Sequence, residues 1–180
     1  MPIQDLPTQL IKHISPAEVI ERTASVVKEL MDTSKHAEAV VIEIETEQGG
    51  KQRIRGRDDG VGIDQVELPL ALSRHATSKI ASLEDLERVG SLGFRGEALP
   101  SIASVSRLQL SSCARSAATG WTVQGDGSDS KISAAPAAHP AGTTVDVRDL
   151  LFNTPARRKF MRTDTTEFNH VENLVRRIAL

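Results

Sequence analysis

Aromatic side chains are scarce in this sequence, which has no tyrosine, one tryptophan and four phenylalanines among its 180 residues. Few rings are available for bases to stack on, so a single-strand nucleic-acid platform is disfavoured. The one cysteine, Cys113, excludes an internal disulfide framework. The sequence also lacks both a run of roughly 18 apolar residues and a signal-peptide pattern, so we predict no membrane span and a reducing, cytoplasmic location.

A strong charge of one sign is also missing, because the formal net charge is -2. Without an overall basic field, any contact with DNA must be local. The hydrophobic fraction of 39% is enough for one aliphatic core, so we expect a single domain over residues 1–180. The sequence stops in an apolar run, residues 177–180, with no polar cap. We therefore expect the natural polypeptide to continue into a following domain.

The spacing of apolar residues predicts alternating helices and strands. A helix begins at Pro16, after Ser15 as N-cap, and continues to about residue 34. Residues 40–47 and 53–57 alternate around Gly49-Gly50, which predicts a hairpin with an acidic strand facing a basic one. The remaining predictions are short helices near 65–71 and 83–89, strands at 106–112, 121–124 and 143–147, a connector at 135–142, and a helical end at 155–180 split near 163–165.

Two segments suggest a nucleotide site. Gly93–Leu99 places two glycines before a predicted helix start, where free N–H groups favour a phosphate, although an ordinary glycine-bearing loop has the same composition. Asp58 ends a strand, where a buried carboxylate can accept a hydrogen bond from an exocyclic amine. Gly60 and Gly62 would let a flat ring approach the backbone, and the alternative is a simple Asp-Gly turn.

Glu29 borders the apolar stripe of the first helix. Its carboxylate could face a cleft and orient or deprotonate a water, whereas most glutamates at such an edge are only solvated.

The order of these segments resembles the ATPase superfamily of gyrase, the heat-shock chaperone, sensor histidine kinases and MutL. Within that superfamily, three segments resemble signatures of the MutL family: Arg74–Ile80, Gly93–Leu99 and Asn153–Phe160. The resemblance covers nearly the whole chain. It implies a two-layer α/β sandwich of the Bergerat type, with a mixed sheet, helices on one face, and ATP between the helices and a lid loop.

The resemblance also implies roles for individual residues. Glu29 would be the general base, Asp58 the adenine reader, and Thr143 a helper beside it. The lid would contain Thr77, Ser78 and Lys79, and Mg²⁺ would accompany the phosphates. The phosphate loop would consist of Gly93, Phe94, Arg95, Gly96, Glu97, Ala98 and Leu99. The family function is an ATP-hydrolysing switch in DNA mismatch repair that forms a homodimer on nucleotide binding and engages mismatch-recognition and downstream repair proteins.

The first helix departs from the family pattern. Thr33 replaces the asparagine that ligates Mg²⁺, and its hydroxyl is closer to the backbone. Glu38 replaces a glycine that follows the helix, where a left-handed conformation strains glutamate. His36 also differs, but a lone histidine near a helix end is more often satisfied or exposed than a ligand. We therefore predict weakened nucleotide binding and slow or absent hydrolysis.

Two other functions remain open. A chain that has lost turnover would act as a scaffold or dimerisation module. Alternatively, basic residues could bind DNA weakly and without sequence preference, with steep salt dependence. The candidates are Arg157, Arg158, Lys159 and Arg162, together with Arg176 and Arg177 on the last helix, and the competing interpretation is a solvated helix face.

Overall fold

The computed structural model describes residues 22–73, 98–125 and 132–179. Within them, six strands form one sheet in the order β1-β2-β6-β3-β4-β5. The strands are β1 Ile42–Glu47, β2 Arg53–Asp58, β3 Arg107–Cys113, β4 Gly120–Gly125, β5 Ala135–Ala137 and β6 Gly142–Arg148. The helices are α1 Thr23–His36, a 3-10 turn at Gln48–Gly50, α2 Leu68–Ala71, α3 Ala98–Ser104, α4 Pro155–Lys159 and α5 Asp164–Ala179.

The predicted α/β sandwich is confirmed, but the predicted mixed sheet is not: every pairing between described strands is antiparallel. Strands β2 and β3 both run antiparallel to β6, so they run in the same direction as each other. If two strands with the same direction were neighbours, they would form a parallel pair and the sheet would be mixed. Here β6 lies between them and pairs with both, which removes the parallel contact.

The helices cover one face of the sheet, as predicted. Alternate residues of the strands place one apolar row on that face, in which Val147 pairs with both Ile54 and Leu108. Those three side chains are almost fully buried. They pack in one core with Leu30 of α1 and Val171 of α5, and the following apolar positions complete it: Val26, Val27, Ile102, Ala103, Leu110, Val123 and Val145.

The opposite face of the sheet is polar. The register pairs Glu43 with Arg57, Glu45 with Arg55 and Glu47 with Arg53, which confirms the predicted acidic-on-basic hairpin. Arg53 also donates two hydrogen bonds across the sheet to Asp146, from Nε at 3.1 Å and Nη2 at 2.8 Å. This forked ion pair ties β2 to β6 on the face that has no helices in the described part of the chain.

The boundaries of most elements follow the sequence. Strand β2 ends at Asp58, and the last helical region divides into α4 and α5. The segment at 135–142 is an exception: it was predicted to be a connector, yet Ala135–Ala137 forms an edge strand on β4. Pro136 is tolerated there because an edge strand needs no donor on its outer side. The predicted helix start at Pro16 and the short helix at 83–89 lie outside the described residues.

Among the described residues, every helix is too short or too polar to cross a lipid bilayer.

Candidate functional site

Three polar side chains form a row across the sheet, on the helix-covered face. Thr143 of β6 lies directly opposite both Asp58 of β2 and Ser112 of β3. All three are buried, with exposed fractions of 8% for Asp58, 7% for Thr143 and 0% for Ser112. Buried polar groups persist only when they are hydrogen-bonded, so this row marks a specified part of the structure rather than generic core.

The Asp58 carboxylate is held by two donors. Its Oδ1 accepts a hydrogen bond from the Gly60 amide at 2.9 Å, and its Oδ2 accepts one from the Ser34 hydroxyl at 2.8 Å. An ionised carboxylate has about four lone-pair positions, so both oxygens retain capacity for a ligand. Ser34 was missing from the sequence-based candidates. The sequence does contain a pattern that indicates it, because Ser34 is a hydroxyl residue at helical spacing within the buried stripe of Val27, Leu30 and Met31.

Two glycines shape the turn that follows Asp58. A side chain at Gly60 would place its Cβ 2.6 Å from the Ala37 carbonyl oxygen, and the Val61 amide donates to that oxygen at 2.9 Å. Gly62 has φ +74°, and a Cβ there would lie 2.1 Å from the Cys113 carbonyl oxygen. The turn is therefore packed between the end of α1 and the end of β3, and only glycine fits at residue 62.

A cavity opens beside this row. Leu99 of α3 and Asp58 line the same cavity, so the predicted adenine wall and the helix that follows the predicted phosphate loop do meet. The other lining residues come mainly from α1 and the turn after β2: Leu30, Thr33, Ser34, His36, Ala37, Gly56, Val61, Gly62, Ile63, Thr143 and Val145. Ala98 begins α3. The remaining predicted phosphate-loop residues, 93–97, and the predicted lid residues, 77–79, lie outside the described residues.

Glu29 and Thr33 are one turn apart on α1 and so share a helix face. Thr33 lines the cavity, whereas Glu29 is half-buried and outside its lining. The Thr33 hydroxyl donates to the Glu29 carbonyl oxygen at 2.8 Å, so its proton is used within the helix. The described residues contain no group of three metal-ligating side chains of the His, Cys, Asp or Glu type. A metal here would need most of its ligands from phosphate oxygens and water.

The end of α1 keeps the left-handed geometry expected there. Glu38 has φ +60°. Its amide donates to the Lys35 carbonyl at 3.1 Å, and the Ala39 amide donates to the Ser34 carbonyl at 3.1 Å. These two bonds define a Schellman cap, in which glycine is usually found. The helix therefore ends in the left-handed cap that glycine favours, and Glu38 carries the backbone strain.

Among the residues that the structure describes, His36 has no cluster of metal-ligating side chains around it. Its Nδ1 donates to the Asp32 carbonyl oxygen at 2.7 Å, as expected for a satisfied histidine at a helix end.

The basic candidates fall into two separate groups. Arg157, Arg158 and Lys159 belong to α4, which has no buried residues, and Arg162 follows it. Arg176 and Arg177 lie in the last turn of α5, which begins at Asp164. Twelve residues of helix separate Asp164 from Arg176, or about 18 Å along the axis. Arg176 also forms an ion pair with Glu172 at 2.8 Å. Arg176 and Arg177 therefore lie nearly the full length of α5 from Arg162.

Comparison with known proteins agrees with this geometry. Residues 20–147 match the family described as histidine kinase-, DNA gyrase B-, and HSP90-like ATPase. The chain belongs to that ATPase family. Over all 180 residues it is 59% identical to the DNA mismatch repair protein MutL of Salmonella heidelberg and to that of Salmonella agona. The chain spans 29% of the length of these relatives.

Solved structures give the same result. The Aquifex aeolicus MutL ATPase domain complexed with ADP is 35% identical, with a TM-score of 0.67 over 89% of this chain and 56% of that one. The N-terminal domain of a DNA repair protein is 31% identical, with a TM-score of 0.73 over 97% of this chain and 50% of that one. The resemblance to MutL that the motifs predicted is confirmed.

Proposed function

We propose that this chain is the nucleotide-binding switch domain of a MutL-type mismatch-repair protein, with ATP as its ligand. The observation that carries the proposal is the buried Asp58 carboxylate at the wall of a cavity that also includes Leu99. Two donors from the protein hold this carboxylate and leave lone pairs for a base amine. The family match and the ADP complex of a similar MutL domain support the same ligand.

The ligand would lie between the row at Asp58 and the start of α3. Asp58 accepts from the amine of adenine. Gly62 lines the cavity beside it, and Gly60, which lies outside the lining, holds the Asp58 carboxylate through its amide. The loop that ends at Leu99 and the lid residues would enclose the phosphates, as the resemblance implies.

Hydrolysis depends on Glu29 and Thr33 of α1. Glu29 would orient or deprotonate the attacking water, and Mg²⁺ would neutralise the phosphates. Thr33 supplies only a short hydroxyl whose proton is bonded to the helix backbone. Thr33 would be the oxygen donor of α1 nearest to such an ion, directly or through a water, and its short side chain fits the strict octahedral preference of Mg²⁺ poorly. We propose that ATP binds while turnover is slow, which makes a scaffold or dimerisation module the second candidate.

Calorimetric titration of the full chain with a nonhydrolysable ATP analogue tests binding, with and without Mg²⁺. Asp58→Asn should weaken affinity by roughly 10- to 100-fold, since a charge-assisted hydrogen bond contributes about 1.5–3 kcal/mol. The matched control is Asp64→Asn, because Asp64, like Asp58, accepts two hydrogen bonds, here from backbone amides at 3.0 and 2.9 Å, but lies outside the cavity lining. Equal affinities for both variants, or no binding by the unmodified chain, would refute the proposal.

Single-turnover hydrolysis of ATP tests the proposal that turnover is slow. Thr33→Asn lengthens the side chain by enough to reach a metal directly, so hydrolysis should accelerate if Thr33 limits it. Thr33→Val is the control, because it removes the hydroxyl without adding a ligand. An unmodified chain that already turns over as fast as Thr33→Asn would contradict the proposed defect.

Dimerisation and contacts with other repair proteins are properties we propose for the longer polypeptide in the cytoplasm. Sedimentation of that polypeptide with and without the ATP analogue tests the first of them. A monomer under both conditions would exclude the nucleotide-driven dimer.

A further inference from the structure

Ser112 lies at the β3 end of the polar row, next to Thr143, and is completely buried. Its Oγ has three partners at the same distance of 2.8 Å: the Ile63 amide, the Gly142 carbonyl oxygen and the Thr143 hydroxyl. This one oxygen therefore joins strand β3, strand β6 and the turn that follows Gly62.

The chemistry of the three partners fixes where each proton lies. The Ile63 amide can only donate, so it occupies one acceptor position of Ser112. The Gly142 carbonyl can only accept, and two oxygens at 2.8 Å repel unless a proton lies between them, so Ser112 donates to Gly142. A serine hydroxyl has one proton and two acceptor positions. The remaining acceptor position must therefore receive the proton of Thr143.

This assignment determines what Thr143 presents to the cavity. Its proton points to Ser112, so only lone pairs remain toward the ligand. Asp58, directly opposite, is also an acceptor. The polar wall of the cavity consequently offers acceptors at two adjacent positions.

We propose that Ser112 is a positioning residue of this site: it fixes the Thr143 hydroxyl as an acceptor and thereby selects a base that carries an amine rather than a carbonyl at its recognised edge. The inference rests on the proposed nucleotide-binding function. Ser112 also anchors the turn after Gly62 through Ile63, so it sets both the chemistry and the position of the cavity wall.

The test compares adenosine and inosine imidotriphosphates, which differ in an amine or a carbonyl on the base. Calorimetry with the full chain and Mg²⁺ gives a ratio of affinities for the two ligands. In Ser112→Ala the Thr143 proton is free to turn toward the cavity and donate to the carbonyl of inosine. The ratio should fall by about fivefold, the value of one typical hydrogen bond. A purely structural role would weaken both ligands equally and leave the ratio unchanged.

Ser111→Ala is the matched control. Ser111 is the neighbouring residue on the same strand, faces the other side of the sheet, and has a hydroxyl that donates to Thr122 at 2.9 Å. Its loss should leave the ratio unchanged. Ser112→Cys, which keeps the shape of the side chain but replaces the hydroxyl with a weakly hydrogen-bonding thiol, is the second variant in case alanine destabilises the fold, and it should also lower the ratio. In a Thr143→Val background, Ser112→Ala should no longer affect the ratio, because there is no hydroxyl to redirect.

The failures of the two proposals are distinguishable. If the unmodified chain binds neither ligand, the nucleotide function and this inference both fall. If it prefers the adenosine compound and folded Ser112 variants keep that preference, only the role of Ser112 is refuted.

Discussion

Asp59 is an exposed carboxylate that binds backbone amides of its own chain and lies outside the cavity lining. Its Oδ1 accepts the amides of Val40 and Val41 at 2.8 and 2.9 Å, which fixes the approach to β1. These bonds, that of Val41 first, lower the pKa of Asp59 below its ordinary value of 3.8. Asp59 and Asp58 are adjacent and of the same type, yet one caps a strand and the other faces a cavity.

The lowered pKa of Asp59 predicts how stability depends on pH. Its contribution is present above the unfolded pKa of 3.8 and is lost as the pH falls through the lower folded value. The difference in unfolding free energy between the unmodified chain and Asp59→Asn should therefore shrink on acidification from about pH 5 to below pH 3. Urea unfolding across that range measures it. A difference that is constant or grows toward acid would contradict the assignment.

Glu38 carries strain that glycine would remove. At φ +60° a residue with a Cβ is destabilised by about 1–2 kcal/mol. Glycine removes this strain, but its larger conformational entropy in the unfolded state offsets part of the gain. Glu38→Gly should raise the free energy of unfolding by about 1 kcal/mol. Ala37→Gly is the control, because Ala37 has φ -80° and should lose stability with glycine. Denaturant unfolding that shows the same sign for both variants would disprove the argument.

Local pattern predicted those elements whose causes are local. The hairpin of β1 and β2 follows from alternation and a glycine turn, and the break between α4 and α5 follows from polar residues near Thr163. Pairing partners were not predictable in the same way. Insertion of β6 between β2 and β3 depends on burial of Val145 and Val147 against both neighbours, which no short window contains. Edge strand β5 exists because β4 offers it a partner, despite Pro136.

The turn after β2 requires glycine at residue 62 for two reasons: its backbone is left-handed, and a Cβ has no room there. Gly62→Ala should destabilise the chain by about 3 kcal/mol or more, because it combines a left-handed backbone with a Cβ that would overlap the Cys113 carbonyl. Gly125→Ala is the matched control, since its Cβ would meet side chains rather than backbone, Ala103 at 3.3 Å and Leu72 at 3.5 Å. Thermal unfolding compares the two. Similar losses of stability would show that the contact at residue 62 relaxes easily.

The site was predictable in part. Asp58 was predicted from its place at a strand end and Thr143 from the family resemblance, but their direct opposition is a property of the sheet, between residues far apart in the sequence. Ser34 and Ser112 were missed because serine is common and only the assembled row shows what their protons bind.

The distribution of charge is likewise a property of the whole molecule. Arg162 and Arg177 are both basic and exposed, yet nearly the full length of α5 lies between them.

That separation predicts the form of any DNA binding. With a net charge of -2 and about three phosphate contacts, affinity for duplex DNA should fall by about 40-fold between 50 and 200 mM salt, a slope near -2.7. Arg162→Glu and Arg177→Glu should each weaken binding independently, since distant sites are additive. Arg55→Glu changes the net charge equally but lies on the polar sheet face, in an ion pair with Glu45. Fluorescence anisotropy across salt concentrations separates the cases. If Arg55→Glu weakened binding as much as the other two, overall charge rather than local contact would govern it.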